Sequence, residues 1–495
     1  MTEHATPLAD WLVIVPVIAA LAGAALLLVL RRFVWIQHYG CGVVLAGILA
    51  GDWLLLQRVL GSGPVAMTMG KWLPPFGISF VADAMGAGFA LVAALVAFGV
   101  WLSMLATVPQ AAVRRGLYSL VLLLMAGVNG AVLTGDLFNL YVWFEVMLVG
   151  AFGLIALAGN PLQLDGAIKY GVINLIGTAL FLLALGLFYG LVGALNMAGI
   201  IGAARSADPA VLSSIVLLLV FALGLKAAVF PLGAWLPASY HTPPAPISAL
   251  VGAVVTKVGI YALLRVVVML LPDASSTIAP VFTALSVATM IFGPLAALSE
   301  TGLRRSTGFM LIGGVGVAIS CLARPGETAI SGGIAYMTQA ALGLSALYLL
   351  TGVIEQMLAP RGPESSRGLY TNRPVLSLLW LAMLLSMSGM PPFLGFWPKL
   401  LLLQGFLEAG DWLLVFAILA NALLTLIAGA RLWTRVAWGP SAPLGPVRGY
   451  GGAILLAGTT LLLGVAPELL IQVSRIAGAG LVQSGPYVAA VGLAP

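Results

Sequence analysis

The stretch FNLYVWFEVMLVGAFGLIAL, residues 138–157, is apolar and aromatic almost throughout, and it carries a glutamate at position 145. Twenty such residues suffice to cross a bilayer as a helix. An ionised carboxylate at the centre of a spanning helix costs roughly 2.5–3.5 kcal/mol on insertion scales. A chain keeps Glu145 at that depth when the carboxylate is paired or does work. Both readings depend on what other charge lies within the membrane.

Composition makes this one stretch typical of the whole. Of 495 residues, 61% are hydrophobic and 8% charged, and the mean hydropathy is +1.11. Soluble domains average about 25% charged residues, so the chain reads as an all-α polytopic membrane protein, a single membrane domain over residues 1–495. The net charge of +6 comes with no basic run interleaved with aromatics, which excludes a nucleic-acid partner. Cys41 and Cys321 lie far apart in apolar segments and read as buried free thiols. His4, His38 and His241 have no metal-ligand spacing, and no glycine-rich phosphate loop precedes a helix, so no metal or cofactor site is expected. The opening MTEHATPLAD lacks the basic region of a cleaved signal, and the first span is expected to be retained.

Turn residues and charges divide the chain into about fourteen spans: 11–30, 39–57, 84–107, 117–134, 137–158, 168–190, 211–235, 245–270, 278–299, 306–322, 330–353, 375–403, 411–436 and 451–471. Between the second and third, GSGPVAMTMGKWLPPFGISFVAD (61–83) reads as an extramembrane hairpin. Thirteen of the 22 Lys and Arg fall in loops after odd-numbered spans, Arg31, Arg32, Arg114, Arg115, Lys169, Arg304 and Arg305 among them. Six, including Arg58, Lys71 and Arg265, fall on the other side. The positive-inside rule then places both termini outside the cell membrane, which requires an even number of spans.

Lys226, Lys257 and Lys399 remain, and all three fall inside spans. Every arginine reads as interfacial or loop-borne, and Asp52 and Asp136 as near enough to span ends to reach water. The intramembrane set is therefore Glu145 and three lysines. A lysine taken out of water can release its proton, which an arginine cannot. A row of such groups forms coupled proton stations. A static Glu145–lysine pair that fixes helix packing is the structural alternative, and it leaves two lysines without acids.

Two of the lysines adjoin helix breakers. Pro231 follows Lys226 in LGLKAAVFPLGAWLP, and Pro391, Pro392 and Pro398 precede Lys399 in SGMPPFLGFWPKLLL. Proline inside a span frees carbonyls that need a polar partner, and broken helices bearing ionisable groups recur in transporters built as inverted repeats. The broken spans are the seventh and twelfth, an odd number apart, so they run in opposite directions. Taken singly, each reads equally as an ordinary kink.

GDLFNLYVWFEVMLVG, LKAAVFPLGAWLPASYHTPPAPISALVGAVVTKVGIYALLR and SMSGMPPFLGFWPK resemble the antiporter-like subunits shared by respiratory complex I, membrane-bound hydrogenases and multisubunit cation/proton antiporters of the Mrp (Pha, Mnh) type. The wording looks most like the D subunit of the Mrp group. The resemblance implies two inverted five-helix repeats, spans 4–8 and 9–13 (residues 110–270 and 275–440), with the seventh and twelfth helices broken. It implies proton translocation along Glu145, Lys226, Lys257 and Lys399, with Glu145 the partner of Lys226. His241 either assists transfer or is a headgroup-level loop histidine. In the eleventh span the chain departs from relatives that carry histidine and lysine: Gln339 and Leu344 stand there, so the hop from Lys257 to Lys399 needs water, Gln339 or Thr338. The implied partners are the other subunits of a hetero-oligomeric antiporter complex, membrane lipid, protons and monovalent cations such as Na+ or K+. The chain is then a secondary transporter subunit, without cofactors and not itself an enzyme. The alternatives are a proton-pumping subunit of a complex I-like NADH dehydrogenase or hydrogenase, and a non-conducting scaffold.

Overall fold

The computed structural model describes residues 7–69, 77–272, 275–358, 368–439 and 448–493. His4, Lys71, Arg361 and Arg367 lie outside the described residues. Among the described residues ten helices are long and apolar enough to cross a membrane; a further pair passes together as one bent span, and three shorter apolar helices accompany them. These occupy all fourteen expected positions. The short ones are the first (Val15–Val29), fourth (Leu117–Leu133) and part of the twelfth (Pro374–Ser388).

The expected hairpin is present. Strands β1 (Val65–Thr68) and β2 (Ser79–Ala82) pair antiparallel with Val65 opposite Ala82 and Thr68 opposite Ser79, and the turn between them is not among the described residues. The fourteenth span differs from its reading as one helix. It is a pair, Gly451–Val465 and Glu468–Val482, bent by 81° at Ala466–Pro467. A proline there continues no hydrogen bond into the preceding turn.

Both expected breaks are found. The seventh span runs Pro209–Ala227 and resumes as Trp235–Tyr240, and the twelfth runs Pro374–Ser388 and resumes as Phe396–Glu408. Glycines bring neighbouring helices together both between the fourth and fifth spans and between the ninth and tenth. Gly127 in the fourth span lies 2.6 Å, measured from where a Cβ would stand, from the Met147 nitrogen of the fifth (Leu137–Ala156). In the same way Gly316 in the tenth (Leu303–Ile319) meets the Met290 nitrogen of the ninth (Ser275–Ser299) at 2.5 Å. Small residues let helices approach closely where apolar transfer gives no drive, because lipid is as apolar as leucine. The eighth span, Ala245–Leu264 with a π-helical end Arg265–Leu270, is buried along its whole length and forms the central pillar.

Burial corrects two sequence readings. Arg265 is not in a loop and does not face solvent: it opens the π-helical end of the eighth span. It is wholly buried and donates to Asp83 at 2.5 Å, while its Nε and Nη2 also donate to the Tyr261 hydroxyl at 3.0 and 2.8 Å. Tyr261 in turn donates to the Val132 carbonyl at 2.6 Å, and Asp83 caps the third span (Ala84–Thr107) by accepting from Gly86 N–H. Because Asp83 follows β2 directly, a counter-charge far off in sequence meets Arg265 inside the fold. Asp52 likewise does not reach water: it is buried within a second span, Val34–Ser62, that is longer than expected. Asp136 is buried too, as the N-cap of the fifth span.

Removing one partner of a buried ion pair leaves an uncompensated charge and costs about 3–5 kcal/mol. Arg265→Met is expected to lower the unfolding temperature in detergent sharply. Adding Asp83→Asn should recover most of the loss, since an asparagine still caps Gly86; no recovery in the double variant would assign Arg265 a different role.

Candidate functional site

Lys226, Lys257 and Lys399 are 3%, 2% and 3% exposed, so all three amines are buried as the sequence demands. Each donates to a neutral oxygen. Lys226 Nζ reaches Thr178 Oγ1 of the sixth span (Pro161–Val192) at 2.7 Å and lies 4.8 Å from the centre of the Phe144 ring. Lys257 Nζ reaches the Gly252 carbonyl at 2.9 Å, five residues back along its own helix. Lys399 Nζ reaches the Ser388 carbonyl at 2.8 Å and Asn421 Oδ1, on the thirteenth span (Trp412–Ala437), at 3.2 Å. Among the described residues no carboxylate lies within 4.0 Å of any of the three.

The breaks explain two of these holds. Ser388 is the last residue of its half-helix, and the last four carbonyls of a helix have no intrahelical donor. The negative end of the half-helix therefore meets the ammonium of Lys399. Gly389, at φ +88°, turns the chain there, and a Cβ on it would press on Lys399 Cδ at 2.7 Å. Lys226 sits in the last turn of the other half-helix. There the chain turns at Ala228, with φ +63°, a conformation that costs a non-glycine residue of order 1 kcal/mol or more. Val229 N–H closes that turn on the Gly224 carbonyl at 2.9 Å, and Trp235 Nε1 donates to the freed Leu225 carbonyl at 3.2 Å.

The expected contact between Glu145 and Lys226 does not form. Phe144 faces the amine, and the next residue on a helix points about 100° away. Glu145 Oε1 is buried without a hydrogen-bond partner. It acts on Lys226 and on Tyr170 of the sixth span through space.

In the eleventh span (Glu327–Leu358), Gln339 is fully buried and Leu344 lines a small cavity that also holds Lys257, Tyr336 and Met387. Its volume of ≈ 20 Å³ admits about one water. Gln339 Nε2 contacts Met387 Sδ at 3.9 Å and stands 3.4 Å from where a Cβ on Gly395, inside the twelfth-span break, would be. Gln339 therefore lies between the Lys257 cavity and the break that holds Lys399, and its Oε1 has no partner. Thr338 does not serve this path: it faces a different, larger crevice.

His241 caps the short Trp235–Tyr240 helix, outside the spans, with Nδ1 2.8 Å from the Pro237 carbonyl. Half-burial pushes its imidazole below the ordinary value of 6.5; the Pro237 carbonyl opposes this, and the guanidinium groups of Arg305 and Arg304 add to it.

Sequence reading misses the acceptors. Tyr170, Asn174 and Thr178 stand four residues apart on one face of the sixth span, all buried. That stripe in an otherwise apolar helix is a readable signal. Asn421 is not, because nothing local marks its partner.

With fold and site in view, the chain has the architecture of a polytopic transporter subunit: fourteen spans, two of them broken beside buried amines. Residues 134–425 match the family NADH:quinone oxidoreductase/Mrp antiporter, TM. The D subunit of the Na(+)/H(+) antiporter of Bacillus subtilis (strain 168) is 32% identical over 493 residues, covering 97% of this chain and 99% of that one. A chain of the Mrp complex from Dietzia sp. DQ12-45-1b superposes with TM-score 0.92 at 27% identity, covering 98% of this chain and 100% of that one. A chain of an archaeal membrane-bound sulfane sulfur reductase superposes with TM-score 0.89 at 28% identity, covering 98% and 99%. The protein belongs to the NADH:quinone oxidoreductase/Mrp antiporter transmembrane family.

Two outcomes follow from this geometry. A hydrogen bond to a charged group contributes about 1.5–3 kcal/mol, so Thr178→Val should destabilise the native protein by that order and Lys226→Met/Thr178→Val by little beyond Lys226→Met alone. Equal losses in both backgrounds, read from unfolding in detergent, would disconnect Thr178 from the amine. The sign for His241 is the reverse of a paired histidine: the unfolded chain binds its proton more readily, so stability is lost as pH falls below the ordinary value. Hydrogen-exchange protection of the His241 and Thr242 amides, corrected for intrinsic rates, should drop between about pH 7.5 and about pH 5.5, and His241→Gln should flatten the dependence.

Proposed function

We propose that this chain is the D-type membrane subunit of a multisubunit monovalent cation/proton antiporter, passing protons along Glu145, Lys226, Lys257 and Lys399. The observation that carries this reading is the set of three buried amines held on neutral oxygens, two of them at helix breaks, in a chain that matches an antiporter subunit along its whole length. Spans 4–8 and 9–13, residues 110–270 and 275–440, act as two half-channels of opposite sense. The Arg-rich loops face the cytoplasm and both termini face outward, in keeping with the loop charge asymmetry.

In this mechanism a proton arriving near Glu145 removes the negative charge that acts on Lys226, and the altered field is passed on from amine to amine. Thr178, Asn421 and the Ser388 and Gly252 carbonyls hold each ammonium in place. A single water in the Lys257 cavity and, beyond Met387, the Gln339 amide continue the path toward Lys399; Gln339 carries no charge itself. The chain supplies a transport path and no catalytic centre, and the coupled cation moves through the assembled complex.

A second reading has its own support. The likeness to a chain of the sulfane sulfur reductase, an archaeal respiratory membrane complex, fits a proton-pumping subunit powered by redox partners. Partners co-purified in mild detergent distinguish the two: small hydrophobic antiporter subunits favour the first, iron–sulfur subunits the second.

Alanine at Lys226 or at Lys257 is expected to abolish dye-reported cation/proton exchange by the complex at normal protein levels, and Glu145→Gln to reduce it. Unchanged exchange in both lysine variants rejects the relay, and a Glu145→Gln protein that assembles poorly yet transports normally favours the scaffold.

A further inference from the structure

Away from the relay, the first four spans enclose a carboxylate that the relay does not use. Asp52 on the second span and Asn129 on the fourth are both wholly buried. Among the described residues, none of the four polar atoms on these two side chains has a hydrogen-bond partner, so they satisfy neither each other nor anything else. The arginines on either side are already paired, Arg58 with Asp10 at 3.4 Å and Arg265 with Asp83. Buried charges are otherwise found paired or bound to a metal ion.

Helix register brings the two side chains together. In the first span, the position of a Cβ on Gly23 is met by Val44 of the second at 2.9 Å and by Leu122 of the fourth at 3.0 Å. The second and fourth spans run the same way. Asp52 stands eight residues beyond Val44 and Asn129 seven beyond Leu122, so their depths agree within about 2 Å. Seven residues make nearly two full turns, which keeps Asn129 on the Leu122 face, toward the second span. Asp52 is rotated about 80° from Val44, which faces the first span, and about 80° the other way from Gly42, which lies against the Trp101 ring of the third. It therefore points between those two spans, at the fourth.

The first and third spans close the surround at the same depth. A Cβ on Gly86 of the third would lie 2.6 Å from the Val132 carbonyl of the fourth, and Ala90 is one turn inward from Gly86 as Asn129 is from Val132. Ala90 is wholly buried and adds only a methyl. On the first span, buried Pro16 lies two turns before Gly23 on the same face, and it has no N–H to give the Leu12 carbonyl. Here the 3₁₀ helix Leu8–Val13 passes into the α-helix Val15–Val29. Transporters hold Na+ with carbonyls of such irregular backbone in the membrane.

Oxygen donors suit hard cations, and one carboxylate balances one positive charge. A proton would satisfy a single oxygen of Asp52 and leave the amide unmet, whereas a monovalent ion takes oxygens from both side chains at once. We propose that Asp52 and Asn129 form a binding site for one alkali cation, ligated by the Asp52 carboxylate and Asn129 Oδ1, with backbone carbonyls at the Leu12–Pro16 entry to the first span adding to the shell. The site is separate from the lysine relay and stands whichever complex the subunit serves.

The test uses the purified complex in nanodiscs and dicyclohexylcarbodiimide, which modifies protonated carboxyls in apolar surroundings, with mass spectrometry of the modified peptides. At fixed pH and ionic strength, modification of Asp52 is expected to fall several-fold in sodium or potassium chloride relative to choline chloride. Radioactive sodium binding, counted by scintillation proximity, should drop by one ion per complex in Asp52→Asn. Asn129→Leu keeps the carboxylate and should raise the salt concentration needed for protection several-fold, which tests the site should Asp52→Asn not assemble. Lys257→Ala, in which exchange is expected to fail, should retain the bound ion, so that loss of the relay and loss of the site are read separately. Equal modification of Asp52 in all three salts marks a carboxyl that carries only a proton and would overturn the proposal. So would protection by magnesium chloride alone, or undiminished sodium binding in both variants.

Discussion

Three lysine amines sit in an apolar interior with, among the described residues, no carboxylate in contact, and the rest of the molecule is arranged so that this is tolerable. An isolated charge taken from water into protein is costly unless hydrogen bonds replace its hydration. Here the replacement is a hydroxyl, a side-chain amide and two backbone carbonyls. A regular helix has few carbonyls to spare, so the chain obtains one by breaking the twelfth span directly beside Lys399. Proline and glycine at 389–398 are what make that carbonyl available. The broken helix is thus the solvent for the amine, and it remains in place whichever way the proton goes.

The same interior treats Arg265 in the opposite manner. Among the described residues, Arg265 has Asp83 in contact, two bonds to Tyr261, and the Tyr261 and Tyr487 rings within 5.1 and 5.3 Å. Every part of that cluster belongs to a junction: the hairpin strand, the end of the eighth span and the C-terminal helix Gly485–Ala490 meet there. Full compensation suits a group that fixes the fold and never changes charge. Compensation by dipoles alone leaves an amine able to lose its charge, as the proposed relay requires. Lysine and arginine are divided between the two tasks as their chemistry requires.

Much of this is legible in the chain itself. Apolar run length yields fourteen spans, proline clusters locate both breaks, and counting the charges left over from the loops isolates the three lysines. What fails is anything decided by distant partners. Arg265 reads as interfacial because its counter-ion precedes it by 182 positions, and Asp52 reads as near water because the second span extends further than its apolar core suggests. The bend at Pro467 escapes notice because both halves of the fourteenth span are apolar enough to read as one helix. Glu145 is recognisable as lying within a span, yet the contact expected of it is one that helix phase denies, since Phe144 occupies the facing direction.

That missing contact bears on how a relay can work at all. At an effective dielectric near 20, opposite charges 4 Å apart attract by about 4 kcal/mol, and twice as far apart by about 2 kcal/mol. A touching Glu145–Lys226 pair would hold its proton distribution against any perturbation a neighbouring station could supply, because those perturbations act over longer distances and are weaker. With the Phe144 ring against the amine and Thr178 as its acceptor, Glu145 acts on Lys226 from beyond contact, a weaker link of the kind the proposed relay needs. A chain of groups can pass a charge along only when no single link is much stronger than the next. The turn of the fifth helix by one residue, from Phe144 to Glu145, sets that balance.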